Sequence, residues 1–547
     1  MTETTAAPSW LDRMPPTLQA LRIPVFRMLW LAWLAANVTM WMNDVAAAWL
    51  MTQLTDSAVM VAMVSAASTL PVFLLGLPSG ALADIVDRRR WFAATQLWVA
   101  CVAVLLAILS LADALDAQLL LALTFANGIG LAMRWPVFAA IVPEIVPRDR
   151  LSPALALQAL AMNISRVVGP VFAGALLAAA GSAAVFVLNA LLSLVAFVQV
   201  LRWRSPPRIS ALPGERFVGA MRVGLQHVRQ SPRMKAVLVR VFLFFLQSTA
   251  LTALLPLVAR QLGGGAGAFT LLVSSMGVGA VAAALTVPQL RERVSRDTIA
   301  SVGTVIVAGV TVVVAWAPAL WVASLALVVA GVAWISTANT MTMSAQMALP
   351  NWVRARGMSV YQMALMGGSA AGAALWGQVA GRFDIRTALM TAAAAGLIGL
   401  LATRRLRLGG AHDEDLSPAP AQPVPVPAID FEPEQGPVMV TVEYLVDPAR
   451  AEDFHAVMQL TRLARLRQGA LSWGLFRDTA QPGRYIEYFL DETWTEHLRR
   501  MERFTAADIG LRERRLAFHV GPAQPRVARY LAEDLGRVKL AGDETRS

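Results

Sequence analysis

Long apolar runs separated by short polar segments occupy most of the chain before residue 405. Twelve of these runs are long enough to cross about 30 Å of hydrocarbon as a helix that rises about 1.5 Å per residue. The runs are residues 26–51, 57–82, 91–111, 119–142, 154–180, 183–202, 235–259, 268–289, 298–317, 319–348, 357–381 and 386–403. This pattern predicts an α-helical polytopic membrane protein with twelve transmembrane helices.

The polar connections between the runs differ in charge, because every second connection contains clustered arginines. These clusters are Arg88, Arg89 and Arg90; Arg148 and Arg150; Arg202, Arg204, Arg208 and Arg216; Arg291, Arg293 and Arg296; Arg354 and Arg356; and Arg404, Arg405 and Arg407. Basic loops stay on the cytoplasmic side of a membrane. We therefore expect a multi-pass protein of the bacterial inner membrane with both termini in the cytoplasm.

The spans divide into two halves of six. A polar stretch that includes a predicted surface helix at residues 217–230 separates the sixth span from the seventh. A proline followed by a basic turn occurs both after the fourth span, at Pro147, and after the tenth, at Pro350. Such a weak repeat is typical of two related transporter halves. We predict a first half at residues 1–203, a central loop at 204–233 and a second half at 234–405.

The pattern changes after the last span. Residues 406–437 are rich in proline and predict an extended linker. The alternation and helical periodicity that follow predict a soluble α+β domain, of ferredoxin-like type, at residues 438–547. Its predicted strands are 438–446, 471–477, 484–490 and a segment near Val527, and its predicted helices are 448–467, 493–503 and 506–518.

Composition agrees with a membrane protein, since 56% of the residues are hydrophobic and 15% are charged. The net charge of +11 comes from short clusters between apolar runs, which indicates membrane topology and not nucleic-acid binding. The single cysteine, Cys101, lies in an apolar run, so neither a disulfide nor a cysteine-based metal site is expected. We expect no cofactor and no metal. The polar segment 1–20 predicts no cleaved signal peptide.

The segment between the second and third spans resembles a loop of the major facilitator superfamily with the pattern Gly-x-Leu-Ala-Asp-Arg-x-Gly-Arg-Arg. The matching residues are Gly80, Leu82, Ala83, Asp84, Arg88 and Arg89. Ile85 replaces a basic residue of the pattern and Asp87 replaces a glycine. The resemblance implies the superfamily's fold of two six-helix halves. It also implies that Gly80, Asp84, Arg88 and Arg89 form a cytoplasmic latch that favours the outward-open state.

A second match lies in the fifth span. Gly169, Pro170 and Gly174 fit the Gly-Pro-x-x-Gly-Gly element of the superfamily's exporters, while Ala173 and Ser165 replace glycines of that element. The resemblance implies a gating helix, because proline frees a backbone carbonyl and glycine lets another helix approach. A helix that is merely kinked remains the alternative.

Two further resemblances point to particular groups of proteins, one for the membrane part and one for the C-terminal domain. The residues around Asp44, Arg134 and 163–170 are similar to those of siderophore exporters, the group that includes the enterobactin exporter. The C-terminal domain resembles the dimeric α/β barrel of antibiotic-biosynthesis monooxygenases, which implies a homodimer formed through this domain. The residues behind that second resemblance are Glu487, Trp494, His497, Arg499, Arg503 and Asp508.

Four charged residues lie inside predicted spans, namely Asp44, Arg134, Arg166 and Arg240. Each costs about 2.5–3.5 kcal/mol on insertion scales, so each is expected to face a wet cavity or a partner. Asp44 is the candidate for proton coupling, with a structural pairing to arginine as the alternative. Arg134 and Arg166 either bind an acidic substrate or hold a helix carbonyl. Arg240 lies near a helix end, where a structural role is favoured.

Neutral polar side chains in the spans are candidates for hydrogen bonds to a substrate, although such residues more often join helices. They are Asn37, Asn163, Gln247, Asn339 and Gln362. Together these features predict a proton-coupled exporter of a small organic compound, such as a siderophore, drug or secondary metabolite, working by alternating access. The expected partners are the small-molecule substrate, protons and the lipid bilayer, without nucleic acid.

Two alternatives stay open at this point. An uptake symporter has the same sequence features, because none of them sets the direction of transport. A transporter fused to a catalytic domain is the other, since the tail contains His455, His497 and His519 near aromatic residues. No nucleophile, base and orienting group stand there at a recognisable spacing, so we expect a tail that is not an enzyme.

Overall fold

The computed structural model describes residues 20–147, 150–203, 217–409, 415–420, 423 and 425–533. The chain forms two compact units. The first comprises Met1–Phe217, Lys235–Met347 and Met358–Gly409, and the second comprises Val218–Met234, Ala348–Gly357 and Gly410–Ser547. Long helices build the first unit, and a small α+β domain dominates the second.

The helices occur where the apolar runs predict them. They are α1 Pro24–Leu54, α2 Ala58–Ile85, α3 Arg88–Leu111, α4 Ala117–Ile145, α5 Leu151–Arg202, α6 Phe217–Gln230, α7 Pro232–Ala253, α8 Leu255–Gln261, α9 Ala266–Arg293, α10 Arg296–Ala315, α11 Leu320–Met347, α12 Arg354–Arg382 and α13 Ile385–Ala402. The predicted surface helix is confirmed as α6.

Within the described part of the chain, ten helices are long and apolar enough to cross a membrane. One of them, α5, contains the fifth and sixth predicted spans, which meet at a kink where Gly181 has φ 75°. The predicted span 357–381 forms α12 but is absent from the ten, because glycine, serine and glutamine lower its apolar character. The seventh predicted span is confirmed as one of the ten, at Pro232–Gln261, and the helix is interrupted within it at Leu254, between α7 and α8.

Polar residues at the turns start several of these helices. In each case an N-cap side chain accepts a hydrogen bond from a backbone N–H of the first turn, which satisfies a donor that the helix itself leaves unpaired. These residues are Ser57, Asp87, Asp116, Ser295 and Asp384. The short polar breaks in the sequence therefore determine where apolar helices begin.

The two halves use equivalent helix contacts, as the weak repeat predicts. In the first half α4 packs on α2, and a Cβ atom at Gly128 would stand 2.8 Å from the Ser68 carbonyl oxygen. In the second half the corresponding helices α9 and α11 meet at Gly279 and Gly331, where added Cβ atoms would overlap backbone carbonyl groups of the opposing helix. Small residues permit this close approach of helices in a membrane.

The C-terminal domain has the predicted order of elements. Its elements are β1 Val438–Leu445, α14 Ala451–Arg467, β2 Ser472–Arg477, β3 Arg484–Asp491, α15 Trp494–Glu502, α16 Ala506–Leu516 and β4 Val527–Leu531. The strands form one antiparallel sheet in the order β2-β3-β1-β4. Alternate residues of β1 and β3 are buried, so one face of the sheet forms the core of this domain.

Candidate functional site

Arg166 of α5 lies between two tryptophan rings of the first unit. Its Cζ atom is 5.5 Å from the ring centroid of Trp41 in α1 and 5.0 Å from that of Trp334 in α11. A guanidinium within about 6 Å of a tryptophan face is attracted by the ring quadrupole. The three residues are half-buried. Helices of both halves therefore hold one cation between two aromatic rings.

The local sequence explains how these three side chains meet. Gly169 lies one turn after Arg166, and a Cβ atom there would stand 2.6 Å from the Trp41 Cβ atom. The glycine therefore lets α5 approach α1 at this level. Trp334 is fixed from the other side, because its indole Nε1 donates to Ser248 Oγ at 3.3 Å and its ring makes an edge contact with Phe245.

Asp44 lies three residues after Trp41, so both side chains lie on the same side of α1. The residue as a whole is half-buried, but its Oδ1 atom is buried and has no hydrogen-bond partner in the described part of the chain. No ion pair involves Asp44 among those residues, and its role in proton coupling stays a prediction. Its neighbour Asn43 is occupied, since it accepts a hydrogen bond from Asn189 at 3.5 Å.

Arg134 of α4 lies in a different environment. The residue is only 1% exposed, its Cζ atom is 5.4 Å from the Trp33 ring centroid, and its Nη1 donates to the Ala36 carbonyl oxygen at 3.5 Å. Trp33 in turn stacks on Phe138 with ring centroids 4.0 Å apart. Arg134 therefore holds α4 against α1, which favours the structural alternative over substrate binding.

The neutral polar candidates also differ in burial, since some lie in helix contacts and others are half-buried. Asn37 is fully buried and donates to the backbone carbonyl of the preceding turn of its own helix. Gln247 is also buried and faces α13, where a Cβ atom on Gly396 would overlap it. Asn339 and Gln362 are half-buried and keep some access to solvent. The side chain of Asn163 lies outside the described residues.

Arg240 makes the structural contacts that its position indicates. Its guanidinium pairs with Asp297 at 2.5 Å and donates to Ser301 Oγ at 2.9 Å and to the Leu406 carbonyl oxygen at 3.4 Å. These partners lie on α10 and directly after α13. Arg240 therefore joins three parts of the second half and is not available to a substrate.

The halves also meet near the turn between α1 and α2. Arg260 of α8 donates to the Thr52 carbonyl oxygen at 2.8 Å and pairs with Asp56 at 2.9 Å. In the predicted gating helix, Gly174 lies against Thr270 of α9, where any Cβ atom would overlap the threonine. Gly174 therefore permits close contact between the halves at this end of the bundle.

The predicted latch is described only in part. Asp87 caps α3 by accepting from the backbone N–H groups of Arg89 and Arg90. The Arg89 guanidinium donates to the Leu201 carbonyl oxygen. The side chain of Asp84 and the surroundings of Gly80 lie outside the described residues, so the latch stays a prediction.

In the C-terminal domain, the carboxylate of Glu487 is buried in the core. Glu487 is fully buried and accepts hydrogen bonds from Tyr444 at 3.0 Å, Arg465 at 3.0 Å and Trp473 at 3.1 Å. Burial alone would raise the pKa of Glu487, but Arg465 and Arg515 outweigh it and lower that pKa to about 2. Glu487 is therefore a permanent anion at the centre of a hydrogen-bonded network.

The histidines of this domain have structural environments. His497 is buried, its Nδ1 atom bonds Asp491 at 2.7 Å, and its Nε2 atom accepts from Arg529 at 3.1 Å. Burial lowers the pKa of His497 despite the nearby carboxylate. The Nδ1 atom of His519 accepts from the Leu445 N–H, and its Nε2 atom lies 2.9 Å from the Ala523 carbonyl oxygen. Neither ring has a nitrogen left for catalysis. Among the described residues, no group of three potential ligands is placed to hold a metal.

Known proteins with similar sequences are transporters. Macrolide efflux protein A of Streptococcus pyogenes is 25% identical over 237 residues, which are 43% of this chain and 58% of that protein. The staphyloferrin A transporter of Staphylococcus aureus is 21% identical over 254 residues, or 46% of this chain and 63% of that protein. The chain thus spans less than two thirds of the length of either relative.

Solved structures show the same fold. The nucleoside transporter NupG superposes with a TM-score of 0.55 at 12% identity, covering 70% of this chain and 98% of NupG. A bacterial homolog of the human lysosomal transporter Spinster, inward-facing and unoccupied, gives a TM-score of 0.51 at 16% identity, covering 70% of this chain and 94% of that chain. A family model described as "Transmembrane secretion effector" matches residues 16–536. The chain therefore belongs to the transmembrane secretion effector family of major facilitator transporters, which confirms the prediction of a transporter.

Proposed function

We propose that this protein exports a small organic acid from the bacterial cytoplasm by proton-coupled alternating access. The observation that carries the proposal is the cation of Arg166, which Trp41 and Trp334 hold between helices of the two halves. An arginine presents several N–H donors in a planar fork that matches a carboxylate. A siderophore, drug or other secondary metabolite with an acidic group fits this site. The names of the macrolide and staphyloferrin A relatives support an organic cargo, and the macrolide relatives support efflux.

Proton coupling is assigned to Asp44, which lies on the same face of α1 as Trp41. A carboxylate without a cationic partner takes up and releases a proton as its surroundings change between wet and dry. Opening of the site to the outside loads the proton, and opening to the cytoplasm releases it while the acidic substrate enters. In this scheme Asp44 drives the cycle and Arg166 selects the substrate.

The arginine-rich connections support an orientation with both termini in the cytoplasm. In that orientation, the contact of Arg260 with Thr52 and Asp56 joins the two halves on the outer side. The predicted latch of Gly80, Asp84, Arg88 and Arg89 then belongs to the cytoplasmic side. Loss of transport with retained substrate binding in Asp84→Ala supports this division, whereas equal loss of both contradicts it.

The proposed domains are the two six-helix halves at 1–203 and 234–405, the central loop at 204–233, the linker at 406–437 and the appended domain at 438–547. The strand order β2-β3-β1-β4 supports the resemblance of the last domain to the ferredoxin-like barrel of antibiotic-biosynthesis monooxygenases. We assign it a non-catalytic role, including dimerisation, because Glu487, Asp491 and His497 are engaged in internal hydrogen bonds.

The test uses purified full-length protein in proteoliposomes with an imposed pH gradient and a radiolabelled organic acid, for which citrate and 2,3-dihydroxybenzoate are the first probes. Arg166→Lys keeps the charge but loses the planar fork, so it retains more binding than Arg166→Ala. Equal affinity of the two variants removes Arg166 from substrate recognition. Binding of neutral esters as tightly as the acids contradicts the assignment of an acidic substrate.

A further inference from the structure

Within the second unit, the helix α6 packs on the C-terminal domain through one of its faces, which contains both polar and apolar side chains. Arg222 Nη2 lies 2.5 Å from Glu492 Oε2, and Gln226 Nε2 donates to the Ala470 carbonyl oxygen at 2.6 Å. These two residues of α6 are four apart and therefore lie on one face. The contacts connect that face to the start of β2 and to the end of β3.

The centre of this contact is buried. Val223 is 2% exposed and packs on Gly469, whose φ of +111° and small size no other residue provides there. His227 is also buried, and its Nδ1 atom lies 3.2 Å from the Arg467 carbonyl oxygen. Burial and the charge of Arg467 lower the pKa of His227 to about 4, so the ring is neutral at neutral pH. The contact is therefore a packed interface with paired polar groups.

A third segment joins the same interface. Trp352, in the connection between α11 and α12, meets the His227 ring edge to face at 5.4 Å, and the Arg503 Cζ atom lies 5.1 Å from the Trp352 ring centroid. A Cβ atom on Gly224 would stand 2.9 Å from the Cβ atom of Arg356. We call this cluster of α6, residues 348–357 and the C-terminal domain the junction.

The junction is covalently linked to the helices that transport must move. Only Ser231 separates the end of α6 from the start of α7. Residues 348–353 connect α11, which holds Trp334 of the candidate site, to α12. A contact that is made in one conformation and strained in another stabilises the first and slows its loss. A domain that contacts both α6 and residues 348–357 is therefore positioned to influence the movement of the second half.

We propose that the C-terminal domain is a built-in brake, whose grip on α6 and on residues 348–357 slows the conformational cycle. The proposal rests on the proposed function as an alternating-access transporter, and it assigns the appended domain a regulatory partner within its own chain. Release of the junction speeds the opening of the outer side, while the substrate site itself stays intact. A ligand or second copy that competes for the junction face of the domain would activate the transporter.

The experiment measures docking and conformational exchange separately, without any substrate. Full-length protein carrying Cys101→Ser is labelled at Gln53→Cys and Gln261→Cys, two exposed positions of opposite halves near the α1–α2 turn, and opening is followed by single-molecule energy transfer. Hydrogen exchange of the α6 amides reports docking. The variants are Arg222→Glu, Glu492→Arg, their combination and Val223→Asp.

Each single substitution exposes the α6 amides and raises the opening frequency about fivefold, the lower range of allosteric coupling. The charge-swapped combination restores both readouts, which also shows that the domain is folded. Arg462→Glu makes the same change of charge on an exposed face of α14 and alters neither. If α6 is released and opening is unchanged or slower, the brake is refuted. If Val223→Asp leaves the α6 amides protected, the junction itself is refuted. Failure of the organic acids to bind Arg166 would refute the proposed substrate and leave both readouts unaffected.

Discussion

The pairing of Arg166 with Trp334 makes a quantitative prediction, because one ring contact can be removed without touching the charge. Trp334→Leu eliminates the contact at 5.0 Å and leaves that with Trp41 at 5.5 Å. A cation–π contact is worth about 0.5–1 kcal/mol when exposed and about 2 kcal/mol when desolvated. The half-buried Arg166 lies between these limits, so we expect substrate affinity to fall about threefold to thirtyfold.

The assay is the concentration-dependent rise in Tm of the full-length protein with citrate or 2,3-dihydroxybenzoate, since a ligand that binds only the folded state raises Tm by mass action. Trp321→Leu is the matched control, because it lies on the same helix α11 and its side chain is 66% exposed. Trp334→Phe keeps an aromatic face and recovers most of the affinity. An unchanged affinity in Trp334→Leu, or an equal loss in Trp321→Leu, refutes the assignment.

Three further predictions concern other parts of the molecule. Asp44→Asn folds and binds the organic acid but loses transport driven by a pH gradient; normal gradient-driven transport in vesicles removes Asp44 from coupling. Gly174→Val separates α5 from α9, since any side chain overlaps Thr270, and raises the labelling of cysteines introduced at Gln53 and Gln261; unchanged labelling contradicts the gate. Glu487→Gln leaves the buried Arg465 unpaired and destabilises the C-terminal domain by about 3–5 kcal/mol, measured by denaturant unfolding. The control Glu443→Gln removes a half-exposed ion pair and costs under about 1 kcal/mol. Because the folded-state pKa of Glu487 is lowered, its contribution is present above about pH 4.5 and is lost as the pH falls toward 2, so acid-independent stability would contradict the network.

Much of the architecture is readable from local patterns. Apolar runs of more than about seventeen residues predict spans because an unpaired backbone is too costly in lipid. The switch to short alternating segments after residue 437 predicts each strand and helix of the C-terminal domain correctly. The join at Gly181 is harder to read, because a glycine at a kink and a glycine in a loop look the same in a sequence.

The candidate site was predictable only in part. The four charges inside spans are visible in the sequence, since each violates the apolar pattern. The sequence does not show how their surroundings differ, because Arg134 and Arg166 are the same residue type on adjacent spans. Trp334 was missed altogether, since a tryptophan in an apolar run gives no signal until a cation from a distant helix lies against its face. Ser248, its hydrogen-bond partner, was missed for the same reason.

The sequence by itself determined the membrane class, the twelve apolar runs, the superfamily resemblance and the elements of the C-terminal domain, because these depend on hydrophobic periodicity and local turn chemistry. Only the tertiary structure showed that Arg134 is buried against Trp33, that Arg240 pairs with Asp297, and that Arg166 lies between Trp41 and Trp334. Only the tertiary structure decided that α6 packs on the appended domain. These outcomes depend on contacts between residues more than fifty positions apart, and no local pattern encodes which distant partner a charged side chain meets.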